Sequence, residues 1–170
     1  MYQVNEIILY GSEGICKIDN MMTRHVNGQP IEYYVLKPIK SESSTIYVPT
    51  LNEELTKKMK KVLSYQEIID LIHFIPDSEL LWIDNDNLRK ERYKGILRDG
   101  NRQEIMQLIR TLYLHQLKLK EEGKKFHASD DKFYKDAERI LYEEFAYVLN
   151  ISEEEVVPFI CQEIDVKEIA

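Results

Sequence analysis

Apolar and polar residues alternate through the first fifty positions of the chain, and a three-to-four-residue period replaces that alternation further on. The segments NEIILYG (5–11), EGICKIDNMM (13–22), IEYYVLKPI (31–39) and STIYVPT (44–50) are short, rich in β-branched and aromatic residues, and bounded by turn formers, which predicts strands. Asn27-Gly28 predicts a tight hairpin turn, because both residues tolerate positive φ. Gly11 and Gly14 bracket a second turn, and Pro38 and Pro49 fall at strand ends, where a missing N–H is tolerated. Four or five such strands are too few for two stacked sheets. A strongly bent sheet or small open barrel of Tudor-like shape is expected, with a free edge that can accept a partner strand.

Residues 51–63, LNEELTKKMKKVL, read as a charged connector with some helical content. From Ser64 onward the punctuation is helical. Ser64 with Glu67 makes a capping box ahead of YQEIIDLIHFI, which Pro76 stops. A second helix is expected from about Asp86 to Arg98, closed by Asp99-Gly100. Asn101 with Glu104 opens a third, in which Ile105, Leu108, Ile109, Leu112 and Leu119 recur at helical spacing. Gly123 ends it. Ser129 is expected to cap a fourth helix carrying Phe133, Ala137, Ile140, Leu141, Phe145 and Val148 on one face. Ser152 with Glu155 caps a last one, where Pro158 predicts a late start or a kink. The fold class is therefore α+β in two modules: a β-rich module over 1–63 and an all-α bundle of about five helices over 64–170. No internal repeat or low-complexity segment interrupts this plan.

Composition changes the picture mainly through charge. The chain has 170 residues and a formal net charge of −7, which by itself disfavours a polyanion as partner. The distribution points the other way. Residues 1–88 hold 8 basic and 13 acidic side chains, residues 89–139 hold 14 and 9, and residues 140–170 hold 1 and 8. A basic block inside an acidic chain is what a local anion-binding face requires, although a solvated helix surface with mixed charge has the same composition. Cys16 and Cys161 are far apart with no framework spacing, as expected for reduced core thiols of a cytoplasmic protein. The first residues lack the basic and apolar regions of a signal peptide, and no apolar run reaches membrane-spanning length.

Catalytic chemistry is not visible. His25, His73, His115 and His127 are scattered, without metal-binding spacing to Cys or carboxylates. Asp70 and His73 lie one turn apart on an otherwise apolar helix, where a structural role is the expectation. No Gly-rich phosphate loop, nucleophile elbow or Cys-His signature occurs. Neither a metal, a cofactor nor a small-molecule substrate is expected.

Several segments, in order, resemble a known family. YGSEGI (10–15), YYVLK (33–37) and IYVP (46–49) with Asn52 following resemble the N-terminal module of the CarD/CdnL/TRCF family. RYKGIL (92–97), Asp99-Gly100, the run 105–112 and the run 137–144 resemble the helical module of CarD-like transcription regulators. Together they span roughly residues 1–150. The chain is far too short to hold the motor domains of the transcription-repair coupling factors that share the N-terminal module.

The resemblance implies a cytoplasmic, non-enzymatic regulator. Its β-rich module would bind the β subunit of bacterial RNA polymerase by a sheet edge, and its helical module would contact promoter DNA at the upstream edge of the bubble, with little sequence specificity. By position, the polymerase-facing residues are Arg24, Tyr47, Val48 and Pro49. The family often has a basic residue where this chain has Tyr47, and Val48 fits core packing as well as contact. The DNA-facing residues are Lys90, Arg92, Lys94, Lys118, Lys120, Lys124 and Lys125, which would neutralise phosphates. The family places a wedge tryptophan four residues before the tyrosine of RYKGIL. Here that position is Arg89, and the only tryptophan is Trp82. Trp82 is a candidate wedge or a core residue, and Arg89 a candidate for a narrow minor groove. The competing reading is an adaptor that binds polymerase without touching DNA, favoured by the acidic C-terminal segment and the displaced tryptophan.

Overall fold

The computed structural model describes residues 1–169, with side chains at all of these but Ser12 and 166–169. The chain divides into two compact units, Met1–Val62 and Leu63–Ala170.

The first unit is an antiparallel five-stranded sheet of order β4-β3-β2-β1-β5. Its strands are β1 (Ile7–Tyr10), β2 (Ile15–Val26), β3 (Gln29–Pro38), β4 (Ile46–Pro49) and β5 (Met59–Lys61). Alternation builds its core. Ile8 and Tyr10, Cys16 and Ile18, Tyr34 and Leu36, Val48 and Met59 all project from one face into one buried cluster. A bulge between Ile18 and Asn20 lets Met21 return to that face. Asn27 and Gly28 both take positive φ (51° and 77°) in the β2–β3 turn, as a two-residue hairpin loop demands. The sheet does not close: β4 and β5 are its two edges.

The connector differs from its sequence reading. Asn52 caps a single helical turn, α1 (Glu53–Thr56), accepting from the Leu55 amide at 3.1 Å. The lysine-rich stretch after it forms β5, paired with β1 through Tyr10↔Met59 and Leu9↔Lys60. Only Met59 in this strand is buried, so three residues with one apolar position gave alternation nothing to register. Lysines on so short an edge strand also discourage edge-to-edge pairing.

The second unit is helical: α2 (Tyr65–Phe74), α3 (Asp86–Asp99), α4 (Arg102–Glu121), α5 (Ala128–Leu149) and α6 (Val156–Ile169). The Ser64–Glu67 capping box forms at 2.7 and 3.1 Å, and Gly100 closes α3 in the left-handed region (φ 68°). Asn101 caps α4. α5 starts two residues earlier than expected: His127, not Ser129, is the N-cap, and the Ser129 hydroxyl instead meets His127 Nδ1 at 3.1 Å. Pro158 lies in the first turn of α6, where its missing N–H breaks no helical hydrogen bond.

The core draws Ile68 and Ile72 from α2, Tyr93 and Ile96 from α3, Leu108 and Leu112 from α4, Ile140 and Phe145 from α5, and Val156 and Ile160 from α6. A buried carboxylate braces it. Glu144 takes two hydrogen bonds from Arg102 (3.0 and 2.7 Å) and one from the Leu63 amide (3.0 Å). Asp70 pairs with Gln66, not with His73. His73 lies 3.4 Å from Glu163, joining α2 to α6. Cys16 is buried, whereas Cys161 is exposed on α6 and is not the core residue its neighbours suggested. Among the described residues, no helix is long and apolar enough to cross a membrane.

Candidate functional site

In the first unit the site grows from the register of β3 and β4. The Thr50 amide donates to the Glu32 carbonyl (2.9 Å), and Tyr34 faces Val48 while Leu36 faces Ile46. Antiparallel pairing alternates, so Val48 and Ile46 turn their backbone groups toward β3, and Tyr47 and Pro49 turn theirs to the open edge. Proline has no N–H, and the Pro49 carbonyl already accepts from Asn52 (3.1 Å). Tyr47 is therefore the one residue of β4 offering both a donor and an acceptor outward.

The same register sorts the predicted side chains. Arg24 lies opposite Ile31, Tyr33 opposite both Met22 and Pro49, and Val35 opposite Tyr47. Arg24, Tyr47 and Pro49 thus share the face turned away from the core. The Arg24 guanidinium sits over the Tyr47 ring, 4.4 Å from its centroid, and Tyr33 meets that ring edge-on at 6.5 Å and 89°. Tyr47 is 41% exposed. Val48 is different: it is fully buried in the core cluster, so its side chain is not part of this surface. Period two forces neighbours in a strand onto opposite faces.

In the second unit the residues expected at DNA form two groups. The first is internal. The Arg89 guanidinium is bound to Asp130 through Nε–Oδ1 (3.0 Å) and Nη2–Oδ2 (3.1 Å), and it donates to the Ile83 carbonyl (2.9 Å). Asp86 adds a further contact at 2.9 Å. Arg89 is 2% and Asp130 1% exposed. Burial works against the Arg89 charge, but hydrogen bonds to Asp130 and Asp86 more than offset it and raise its pKa. Its charge is thus matched internally, and the residue is not free to enter a groove of DNA.

Trp82 completes this group. Arg89 lies over the indole at 4.4 Å from its centroid, and the His115 ring stacks on it at 3.7 Å. Two groups this close to one centroid must occupy opposite faces. Both faces of Trp82 are therefore covered, its Nε1 donates to Asp84 (2.9 Å), and only an edge of the ring is left to solvent. Burial depresses the His115 pKa; Asp130 opposes this, while Arg89 and Lys118 add to it. The Tyr93 hydroxyl donates to the Leu81 carbonyl (2.9 Å), and burial, with Asp130, pushes its pKa up to about 12.

The second group is external. Lys90, Lys94, Lys118, Lys120 and Lys125 make no ion pair among the described residues, and all but the half-buried Lys90 are exposed. Arg92 is held by Glu104 (3.1 Å) and Lys124 by Glu122 (3.2 Å). Lys90 and Lys94 are one turn apart on α3. Lys118 and Lys124 line an open groove of about 480 Å³ together with Leu80, Trp82, Leu114 and His115. Lys120, two residues from Lys118 on α4, projects about 200° around the helix from it and faces elsewhere.

Three participants escaped the sequence reading. Tyr33, His115 and Asp130 are each set against their partner by tertiary structure, across 14, 33 and 41 positions, and nothing local distinguishes them. Among the described residues, no three His, Cys, Asp or Glu side chains are grouped to hold a metal ion.

Against known families, residues 2–63 match the CarD-like/TRCF RID domain and residues 77–160 match the CarD C-terminal domain. α2 lies between the two matches. No curated protein matches the chain.

Proposed function

The chain belongs to the CarD-like family of transcription-associated regulators that interact with RNA polymerase, and from that premise we propose that it docks on the β-subunit lobe through the β4 edge and contacts promoter DNA through lysines of its helical unit. That family is one of non-enzymatic transcription factors. The observation that carries the proposal is the outward donor and acceptor of Tyr47, at the edge of a domain of the polymerase-interacting type. One extended segment of a partner can pair there as an added strand. Pro49 ends the available ladder one step on.

The DNA half of the proposal is supported by the lysines without ion pairs. Lys90, Lys94, Lys118, Lys120 and Lys125 keep charge that no carboxylate cancels, and such charge yields sequence-independent phosphate contact through counterion release. On this reading Trp82 acts as a fixed apolar edge beside Lys118 and Lys124 and does not insert its ring face. Binding of the full chain to forked promoter DNA at increasing salt tests it. A steep loss of affinity is expected; no binding at low salt would sink it.

A specific observation favours the second reading, an adaptor on polymerase without DNA contact. Arg89 and Trp82, the residues nearest the family's wedge, are both consumed inside the unit. Stable polymerase binding with no measurable affinity for forked DNA would select it.

A further inference from the structure

His115 is a half-buried imidazole on the α4 wall of the groove, and it makes no hydrogen bond or ion pair among the described residues. Its ring lies on the Trp82 indole, and the Phe126 ring stands 6.3 Å from it. His115 and Lys118 are one turn apart on α4 and so share a side of the helix; Lys124 lines the same groove. The fixed charges around the imidazole cancel. Within the groove, Lys118 and Lys124 are equalled in number by Asp84 and Glu122, and Glu122 pairs with Lys124. Behind the indole, Arg89 of α3 is bound to Asp130 of α5. While His115 is neutral the groove therefore has no net charge, and one proton on the imidazole makes it cationic.

Resting on the DNA reading, we propose that His115 takes up a proton when a DNA phosphate docks between Lys118 and Lys124, so that the groove holds DNA more tightly as the pH falls through the histidine range. The imidazole is then the third cation of the site and the one that pH controls. Histidine is the side chain whose ordinary charge change falls between pH 5 and 8. A ring nitrogen without a protein partner can donate to a phosphate oxygen, and a charged donor makes the stronger bond. The stack on Trp82 is compatible with the proton, because an indole face attracts a cation. In the free chain burial resists the proton, helped by Arg89 and Lys118 and opposed by Asp130 and Glu122. A phosphate beside the ring supplies negative charge on its groove side and offsets that resistance.

Linkage fixes the sign. The DNA-free chain holds this proton more weakly than the DNA-bound one, so binding takes up a proton. Affinity then rises with acidity between the two pKa values and is flat on either side of them. Lysines alone give no such response, because their charge does not change in this range.

The test measures the Kd of the full chain for forked promoter DNA with unphosphorylated ends, at pH 7.5 and 6.0, over a range of salt and well below the melting temperature. Affinity is expected to rise about three- to fivefold at pH 6.0, the gain produced over this window when one pKa is raised by roughly one unit. The slope of log affinity against log salt is expected to steepen by about 0.5–0.9 as the third cation joins. His115→Phe, which keeps a ring on Trp82 but takes no proton, is expected to lose both changes, and so is His115→Gln. His127→Gln, which removes a titratable ring that does not line the groove, is expected to keep them. The His115 imidazole, followed by NMR, is expected to titrate at higher pH with DNA bound than without. Three results each overturn the proton linkage while leaving DNA binding intact: equal wild-type affinity at both pH values, a pH response that persists in both His115 variants, or an imidazole titration that DNA leaves unmoved. If the unmodified chain fails to bind forked DNA at low salt at either pH, the DNA reading falls, and this proposal with it.

Discussion

Asp130 on α5 encloses the guanidinium of Arg89 on α3 in a two-point ion pair, 3.0 and 3.1 Å long, with both side chains almost entirely out of water. The pair does more than join two helices. By fixing Arg89 it fixes one face of Trp82, and His115 from α4 fixes the other. The indole is therefore a strut among three elements.

Removing Asp130 should expose how much rests on it. Asp130→Ala leaves a buried guanidinium with its main partner gone, which is expected to cost about 3–5 kcal/mol of stability in the helical unit. Urea unfolding followed by Trp82 fluorescence reads the loss. A change under about 1 kcal/mol would mean that the pair is not what holds Arg89.

The pH dependence of His115 has a definite sign. Its pKa in the fold lies below the ordinary 6.5, chiefly through burial, so the unfolded chain takes up the proton first. The stabilisation is complete above pH 6.5 and is progressively lost as the pH falls below it, until the folded-state pKa is reached. Wild type should thus lose stability on acidification relative to His115→Phe, which keeps an aromatic partner for Trp82. Parallel melts at pH 7.5 and 5.5 give the comparison; equal losses would remove His115 from the acid limb.

Lysines with and without counter-ions should differ in their effect on DNA binding. Lys94→Ala and Lys118→Ala are each expected to lower the slope of log affinity against log salt by about 1, the share of one phosphate contact. Arg92→Ala, whose charge is shared with Glu104, is expected to lower it by less. Salt titrations on forked DNA measure all three, and identical slopes in all variants would place the lysines outside the contact.

Val48 separates packing from contact. Val48→Ala opens space in a small core and is expected to cost about 2 kcal/mol of stability in the sheet unit. Polymerase affinity measured well below the melting temperature should stay unchanged. Weaker binding by the folded variant would show that the side chain contributes to the interface after all.

The local rules were legible in the sequence because each depends on neighbours a few residues away. Alternation marked β1 to β4, Asn27-Gly28 marked the hairpin, and Ser64, Asn101 and Gly100 marked helix ends, since capping and positive φ are properties of single residues and short spacings. β5 escaped because one apolar residue in three carries no period. What tertiary structure decided was the company each charge and ring keeps. Charge counting found the basic block but not that Asp130 cancels Arg89, which comes from two residues 41 apart meeting in a core. Likewise a lone tryptophan and a tyrosine in place of a cation gained their meaning only when folding laid a histidine and an arginine against the one and an arginine against the other, because stacking and ion pairing fall off within a few ångströms in space and are blind to distance along the chain.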